Sequence, residues 1–127
     1  MKPLTQEWIE KAEGDFRTAS RELRAEQLPN YDAVCFHAQQ CAEKYLKARL
    51  QETSIPVPKI HDLTALLDLL LPHDSDLEVL RFALGMLTDY AVAVRYPGFS
   101  ADQAVAEEVY SLCEHVRQSI RQCLLPP

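Results

Sequence analysis

One face of the second predicted helix carries four side chains that suit anion binding: His37, Gln40, Lys44 and Lys47. They fall within an arc of roughly 80° on a helix of 3.6 residues per turn. An imidazole, an amide and two ammonium groups on one face would contact a phosphate or another anion. The alternative is a solvated face, because this stripe lies almost opposite the apolar stripe and Glu43 beside it lowers its positive potential. The sequence favours the solvated face.

The dipeptide His61-Asp62 precedes a leucine-rich run and follows a loop that contains prolines. Asp62 is predicted to cap the helix that follows, where its negative charge suits the helix N-terminus. His61 can donate a hydrogen bond to a backbone carbonyl or to a carboxylate, which would lock the loop to the helix. A histidine is also a candidate general base, but the spacing identifies no partner for it. The lock is the favoured interpretation.

The segment Arg95-Tyr96-Pro97-Gly98 interrupts the helical pattern late in the chain, since proline and glycine favour a turn. An arginine at the C-terminal end of a helix interacts favourably with the last carbonyls. Alternatively, Arg95 faces a groove and binds phosphate with its planar guanidinium. Tyr96 would then stack on a base or another ring. The residues leave both interpretations open.

Helices must position these candidates, because apolar residues recur every three to four positions through most of the chain. Five helices are predicted: Thr5 to about Glu26, about Tyr31 to Glu52, about Asp62 to Leu71, about Ser75 to Val94, and Ser100 to about Leu124. Pro126-Pro127 are predicted to close the chain. The expected fold is all-α, an antiparallel up-and-down four-helix bundle with an additional short helix, in a single domain over residues 1–127.

Helix starts are predicted from residues that accept hydrogen bonds from exposed backbone amides. The expected caps are Thr5, Asn30, Asp62 and Ser100. Gln103 would complete a capping box with Ser100. Gly85, inside the fourth helix, costs about 1 kcal/mol relative to alanine or marks close packing.

Composition narrows the function classes. A formal net charge of -6 disfavours broad non-specific binding to nucleic acid or to anionic membrane. The four cysteines form no CxxC pair, so we expect no zinc site and no other metal or cofactor. No secretory leader and no apolar run near ~20 residues are visible, so we expect a cytoplasmic protein that does not span a membrane. Common enzyme signatures such as the P-loop and HExxH are absent.

Four blocks of the sequence together resemble a HEPN domain. They are Trp8…Lys11-Ala12-Glu13…Asp15, then the run from Phe36 to Ala48, then His61-Asp62-Leu63, then Arg95-Tyr96-Pro97. Their order and spacing cover nearly the whole chain, and the second block is the most specific.

The resemblance implies a bundle akin to the substrate-binding helical domain of kanamycin nucleotidyltransferase, and a homodimer. It also implies a minimal nucleotidyltransferase as partner, in a toxin–antitoxin-like pair. Other HEPN members are metal-independent ribonucleases, which use an arginine followed by a histidine a few residues later. That arginine would be Arg95, but the next histidine here is His115, deep in helix five. Standard ribonuclease chemistry is therefore not expected unless the fold or a dimer brings His37 or His61 to Arg95.

The favoured hypothesis is a binding module for a nucleotide or another phosphate-bearing ligand, with no catalytic residue. Its expected ligand contacts are His37, Gln40, Lys44, Lys47, His61, Arg95 and Tyr96. A divergent ribonuclease that uses Arg95 and acts on RNA is the first alternative. The second is a dimeric scaffold without a ligand.

Overall fold

The computed structural model describes residues 1–125, and these residues form helices and connecting turns without a β-strand. The α-helices are α1 (Pro3–Leu23), α2 (Tyr31–Glu52), α3 (Leu63–Leu70), α4 (Arg81–Ala93) and α5 (Gln103–Leu124). A 3₁₀ segment, Ser75–Leu80, leads directly into α4. The all-α prediction is confirmed. Pro126 and Pro127, predicted to close the chain, lie outside the described residues.

The bundle is organised around α2, which contacts each of the other α-helices. Small buried residues on this helix, Ala38, Cys41 and Ala42, allow its neighbours to approach closely. Tyr45 and Leu46 are the large side chains that fill the core around it. Full burial of such a side chain contributes about 1.5–3 kcal/mol to folding. None of the helices within residues 1–125 is both long and apolar enough to cross a membrane.

Two predicted caps are confirmed, and both belong to helices that border the candidate site. The Asn30 side chain accepts a hydrogen bond from the Ala33 amide at 3.0 Å. Asp62 Oδ1 accepts from the amides of Thr64 and Ala65 at 3.0 and 3.4 Å. The bounds of α2 match the prediction, and α3 begins directly after its predicted cap.

The predicted start of α1 is wrong, because Thr5 lies inside the helix rather than at its cap. The helix begins at Pro3, a residue that suits the first helical turn. Thr5 is buried, and its hydroxyl donates to Glu52 of α2 at 3.0 Å. At the other end α1 stops at Leu23 rather than at Glu26.

The predicted fourth helix, Ser75 to Val94, is in fact a 3₁₀ segment followed by the shorter α4. Asp74 precedes the segment but makes no capping hydrogen bond. Its carboxylate instead accepts two hydrogen bonds from Arg49, at 2.7 and 2.9 Å. The regular α-helix begins at Arg81.

The predicted capping box of the fifth helix is also wrong. Asp102, not Ser100, caps α5, and its Oδ1 accepts from the Val105 amide at 2.8 Å. The Ala101 amide is bound to Asp32 of α2 at 2.7 Å, which holds this residue outside the helix. Gln103 donates to Glu107 one turn further along.

Candidate functional site

The polar stripe predicted on α2 is neither an open cationic patch nor a fully solvated face. His37 Nδ1 lies 2.8 Å from Asp15 Oδ1 of α1, and Lys44 binds the other oxygen of the same carboxylate. Lys47, predicted as part of the same exposed stripe, is only 5 % exposed. Helix α1 therefore covers much of this face, and its carboxylate neutralises Lys44.

A buried polar seam on the neighbouring face of α2 was missed by the sequence analysis. Gln39, Glu43 and Lys47 are spaced one turn apart and are all buried. Lys47 Nζ donates to Glu43 Oε2 at 3.2 Å, and the Gln39 amide donates to Glu43 Oε1 at 3.3 Å. Gln40 donates to Gln39 Oε1 at 2.8 Å and so joins the seam. The regular spacing of these polar residues was visible in the sequence.

His61 reaches the seam from the loop before α3. Its Nδ1 lies 3.0 and 3.2 Å from the two Glu43 oxygens, and its carbonyl accepts from the Gln39 amide at 3.2 Å. The side chain is nevertheless 76 % exposed. The loop is thus locked to α2 and not, as predicted, to the helix that follows it. The same contacts also orient an accessible imidazole with a buried carboxylate behind it.

Arg95 lies just beyond the end of α4 and is exposed. Within residues 1–125 its guanidinium forms neither an ion pair nor a hydrogen bond with a last-turn carbonyl. Its Cζ lies 5.7 Å from the centre of the Phe36 ring on α2, an arrangement typical of a cation–π contact. Arg95 therefore keeps its hydrogen-bond donors available for a ligand.

A groove lies between α2, the start of α3 and the C-terminal half of α4. Its volume is about 280 Å³, and it is lined by Gln39, His61, Asp62, Thr88, Ala91, Val92 and Arg95. Two residues predicted from sequence, His61 and Arg95, thus line the same groove. The other predicted contacts, His37, Gln40, Lys44, Lys47 and Tyr96, do not line it.

The groove combines an apolar floor with a few polar groups at its edges. Ala91 and Val92 are its apolar lining residues. The Thr88 hydroxyl is buried and has no hydrogen-bond partner among the described residues. Asp62 adds a negative charge at the rim. The hydrogen bond from the Thr64 hydroxyl, together with the amides of α3, lowers the pKa of Asp62. An anionic ligand would therefore have to bind on the Arg95 side.

A second group of charged residues, which we call the Glu13 cluster, joins α1, α2 and α5. It consists of Glu13, Tyr45, Arg117 and Arg121. Arg117 donates to both Glu13 oxygens at 2.7 and 2.6 Å, and the Tyr45 hydroxyl donates to Glu13 at 2.6 Å. The hydrogen bond from Arg117 lowers the pKa of Glu13, whereas burial raises the pKa of Tyr45. These groups satisfy one another, so the cluster has a structural role.

Cys35, Cys41 and Cys113 are buried in the core, and the partly buried Cys123 packs against it. Burial raises the pKa of Cys35 to about 11, and a hydrogen bond with Cys113 raises the pKa of Cys41 well above its ordinary value. Both thiols are therefore protonated at neutral pH. Within the part of the chain that the structure describes, no three His, Cys, Asp or Glu residues are grouped to hold a metal ion.

Comparison with known proteins places this geometry in a family. The HEPN domain profile matches residues 5–123. The crystal structure of TT1696 from Thermus thermophilus is similar, with a TM-score of 0.80 and 28% sequence identity. The similarity covers 93% of this chain and 96% of that one. No curated protein matches the chain. Because the profile spans almost all of the bundle, including the groove, the chain belongs to the HEPN domain family.

Proposed function

We propose that the groove binds a phosphate group of a nucleotide or another phosphate-bearing ligand, and that the protein acts as the binding partner of a minimal nucleotidyltransferase in a toxin–antitoxin-like pair. One observation carries the binding proposal: His61 and Arg95 line the same groove. The two residues are 34 positions apart in sequence, and the packing of α3 and α4 on α2 brings both to the groove.

Arg95 is the main phosphate contact in this proposal. A guanidinium presents several N–H donors in one plane, which matches the oxygens of a phosphate. The cations of α2 are less suitable, because Asp15 binds Lys44 and Glu43 binds Lys47. An unpaired arginine binds an anionic ligand more favourably, because no internal ion pair has to be broken first.

His61 is the second contact, because it lines the same groove. Glu43 fixes its Nδ1, so the other ring nitrogen is free to meet a phosphate oxygen or a sugar hydroxyl. The apolar residues Ala91 and Val92 would contact the less polar part of the ligand. Most ligand sites have this composition, with an apolar lining and a few placed polar groups.

The partner role is supported by family membership together with the shape of the site. The groove offers one arginine and one histidine. Such a site is suited to hold a nucleotide more than to activate one. The transfer chemistry would then be supplied by the nucleotidyltransferase, and this chain would present the ligand or the acceptor.

Thermal unfolding with added ligand tests the binding proposal. ATP and inorganic phosphate are added separately to the wild type, to Arg95→Ala and to His61→Ala. A ligand at a hundred times its Kd stabilises the native state by about 2.7 kcal/mol, which is a measurable rise in Tm. We expect ATP to raise the Tm of the wild type, and Arg95→Ala to abolish the rise.

Arg21→Ala is the matched control, because Arg21 is an exposed arginine on α1 that does not line the groove. It should respond to ATP as the wild type does. An equal loss of the response in Arg21→Ala would mean that ATP binds by overall charge rather than in the groove. Absence of any rise in the wild type would contradict the binding proposal.

Metal-independent RNA cleavage is a second candidate, favoured by the contact between His61 and Glu43 in the groove that Arg95 also lines. His61 would take the proton from a ribose 2′-hydroxyl, whose oxygen then attacks the adjacent phosphorus. Arg95 would stabilise the negative charge on the phosphate oxygens. The P–O5′ bond breaks, the departing oxygen receives the proton from His61, and the products carry a 2′,3′-cyclic phosphate and a 5′-hydroxyl.

Cleavage of a labelled RNA in the presence of a chelator separates the two candidates. The ribonuclease candidate predicts cleavage by the wild type and none by His61→Asn or by Arg95→Ala. The binding candidate predicts ATP-dependent stabilisation with RNA left intact. Wild-type protein that leaves RNA intact at micromolar concentration excludes the ribonuclease candidate and leaves the binding proposal untouched.

A further inference from the structure

The groove of the proposed site carries two opposite charges, since Arg95 and Asp62 both line it. A carboxylate near a bound phosphate is unfavourable, because like charges repel each other. A groove that binds phosphate alone therefore gains nothing from Asp62. A ligand that offsets this repulsion must carry, besides its phosphate, a group that a carboxylate binds.

The fold uses only one of the two carboxylate oxygens of Asp62. Oδ1 accepts from the Thr64 amide at 3.0 Å, from the Thr64 hydroxyl at 2.8 Å and from the Ala65 amide at 3.4 Å. Oδ2 makes no hydrogen bond within residues 1–125, and the residue is exposed. A carboxylate oxygen offers about two lone pairs. The cap of α3 thus holds the carboxylate in place and leaves Oδ2 free to accept.

The hydrogen bonds of the cap also keep Asp62 charged. The Thr64 hydroxyl, followed by the amides of Ala65 and Thr64, lowers the pKa of this carboxyl group. At neutral pH the charged carboxylate accepts hydrogen bonds and donates none. Its ligand group must therefore be a hydrogen-bond donor, such as a hydroxyl or an amine.

Hydroxyl groups fit this position better than an ammonium group does. Arg95 lines the same groove and would repel a cation, whereas a hydroxyl carries no charge. The 2′- and 3′-hydroxyls of a ribose are neighbours on one face of the sugar, so both can donate to a single carboxylate. Carboxylates bind ribose hydroxyls in dinucleotide-binding proteins for the same physical reason.

We propose that Asp62 Oδ2 accepts hydrogen bonds from the 2′- and 3′-hydroxyls of a free ribonucleotide whose phosphate binds Arg95, so that the groove selects ribonucleotides over deoxyribonucleotides. This inference rests on the proposed function, because it names the ligand class of the same groove. The two charges of the groove also set the direction of the ligand, with its phosphate at Arg95 and its ribose at Asp62.

The size of the groove limits recognition to the sugar and the phosphate. Its volume of about 280 Å³ lies just below the range of about 300–1,000 Å³ that is usual for clefts enclosing a drug-sized ligand. A sugar phosphate is smaller than a whole nucleotide, and Ala91 and Val92 would contact the carbon atoms of its ring. The base then remains outside, so adenine and guanine nucleotides should bind alike.

Calorimetric titration of the wild type with ATP, 2′-deoxy-ATP, 3′-deoxy-ATP and GTP tests the inference. A hydrogen bond to a charged group is among the stronger ones, so each deoxy analogue should bind at least about tenfold more weakly than ATP. GTP should bind as tightly as ATP. Nucleotides inside an RNA chain have no free 3′-hydroxyl, so weaker binding of 3′-deoxy-ATP identifies a free nucleotide as the ligand.

Asp62→Ser tests the assigned residue. Serine caps a helix about as well as aspartate does, but it has no second oxygen. The Kd values for ATP and 2′-deoxy-ATP should therefore become equal in this variant. Both ligands carry the same charge, so the loss of a negative charge from the groove cancels in their ratio. Binding of inorganic phosphate should not weaken.

Asp102→Ser is the matched control, because Asp102 caps α5 in the same way and does not line the groove. It should keep the preference for ATP. Thr88→Val is a second control, which removes a polar group of the lining whose oxygen is buried. A preference that Thr88→Val removes and Asp62→Ser keeps would overturn the assignment to Asp62.

Two further outcomes would overturn the inference and leave the proposed function in place. One is equal binding of ATP and 2′-deoxy-ATP by the wild type, with ATP binding still lost in Arg95→Ala. The other is 3′-deoxy-ATP that binds as tightly as ATP, because a single hydroxyl would then be recognised. A wild type that binds no ATP would contradict the proposed function and this inference together.

Discussion

The Glu13 cluster and the groove both contain an arginine. The arginine of the cluster is paired inside the chain, whereas the arginine of the groove is not. In the cluster, Arg117 and Tyr45 both donate to Glu13, and the three groups come from three helices. In the groove, Arg95 has no carboxylate partner among the described residues, and His61 has one partner but an exposed ring. The two regions therefore differ in how many of their polar groups have hydrogen-bond or ion-pair partners inside the chain.

This difference indicates which charged residues hold the bundle together and which are available to a ligand. A paired, partly buried arginine stabilises the fold through its hydrogen bonds, and losing its partner leaves a charge without compensation. An unpaired, exposed arginine contributes little to the fold. Lys44 and Lys47 each bind a carboxylate, so the proposed site does not rely on them.

The largest effect is expected from Glu13→Ala. It removes the acceptor of both Arg117 hydrogen bonds and of the Tyr45 hydroxyl, so we expect the free energy of unfolding to fall by about 2–3 kcal/mol. Urea denaturation measures this change. Glu10→Ala, an exposed glutamate on the same helix, should stay within about 0.5 kcal/mol of the wild type. If both variants lost the same free energy of unfolding, the structural role of the Glu13 cluster would be contradicted.

The second effect is a dependence of stability on acid pH. Arg117 lowers the pKa of Glu13 below its ordinary value of 4.5, so the unfolded chain takes up this proton at a higher pH than the folded chain does. The contribution of Glu13 is therefore fully present above that ordinary value and is lost as pH falls through the lowered pKa. Urea midpoints measured across this range should fall less steeply in Glu13→Gln than in the wild type. If the urea midpoints of the two proteins fell in parallel with pH, Glu13 would not be held in its charged form.

A smaller effect is expected from Asp62→Ala, which removes the cap of α3. Losing such a cap costs about 1 kcal/mol of stability. Asp62 also lines the groove as a negative charge, so its removal should not weaken phosphate binding. Glu114→Ala on α5 is the control for loss of an exposed carboxylate. A large loss of phosphate binding in Asp62→Ala would contradict the placement of the phosphate beside Arg95.

The smallest effect is expected from Lys44→Ala. Lys44 is partly exposed and bound to Asp15, so its loss should change the free energy of unfolding by about 1 kcal/mol or less. We expect it to leave the Tm rise with ATP unchanged. If Lys44→Ala instead abolished that rise, the anion-binding interpretation of the α2 stripe would be the better one.

The helices were predictable where the decisive contacts are local. Asn30 and Asp62 cap helices within three residues of themselves, and both caps are visible in the sequence. The start of α1 and the 3₁₀ segment were not predictable, because each depends on a distant partner. Thr5 is bound by Glu52, and Asp74 is bound by Arg49. Residue type alone does not say which hydrogen bond a side chain will make.

Two of the predicted contacts line the groove, but the sequence did not predict their arrangement or the other residues of its lining. Arg95 and His61 were both named from sequence, yet only the packing of three helices brings them to one groove. The neutralisation of Lys44 depends on Asp15, which lies 29 residues earlier in the chain. Glu43 was noted only as a charge that weakens its neighbours. Its one-turn spacing from Gln39 and Lys47 was the available signal for the buried seam.

The most direct test of the central claim compares Arg95→Ala with Arg117→Ala by two measurements on each protein, urea unfolding and the rise in Tm with ATP. The account predicts opposite outcomes. Arg95→Ala should unfold as the wild type does, within about 0.5 kcal/mol, and lose the response to ATP. Arg117→Ala should lose stability and, at a temperature where it is folded, keep the response. An Arg95→Ala protein that retains the full ATP response would contradict the assignment of the groove.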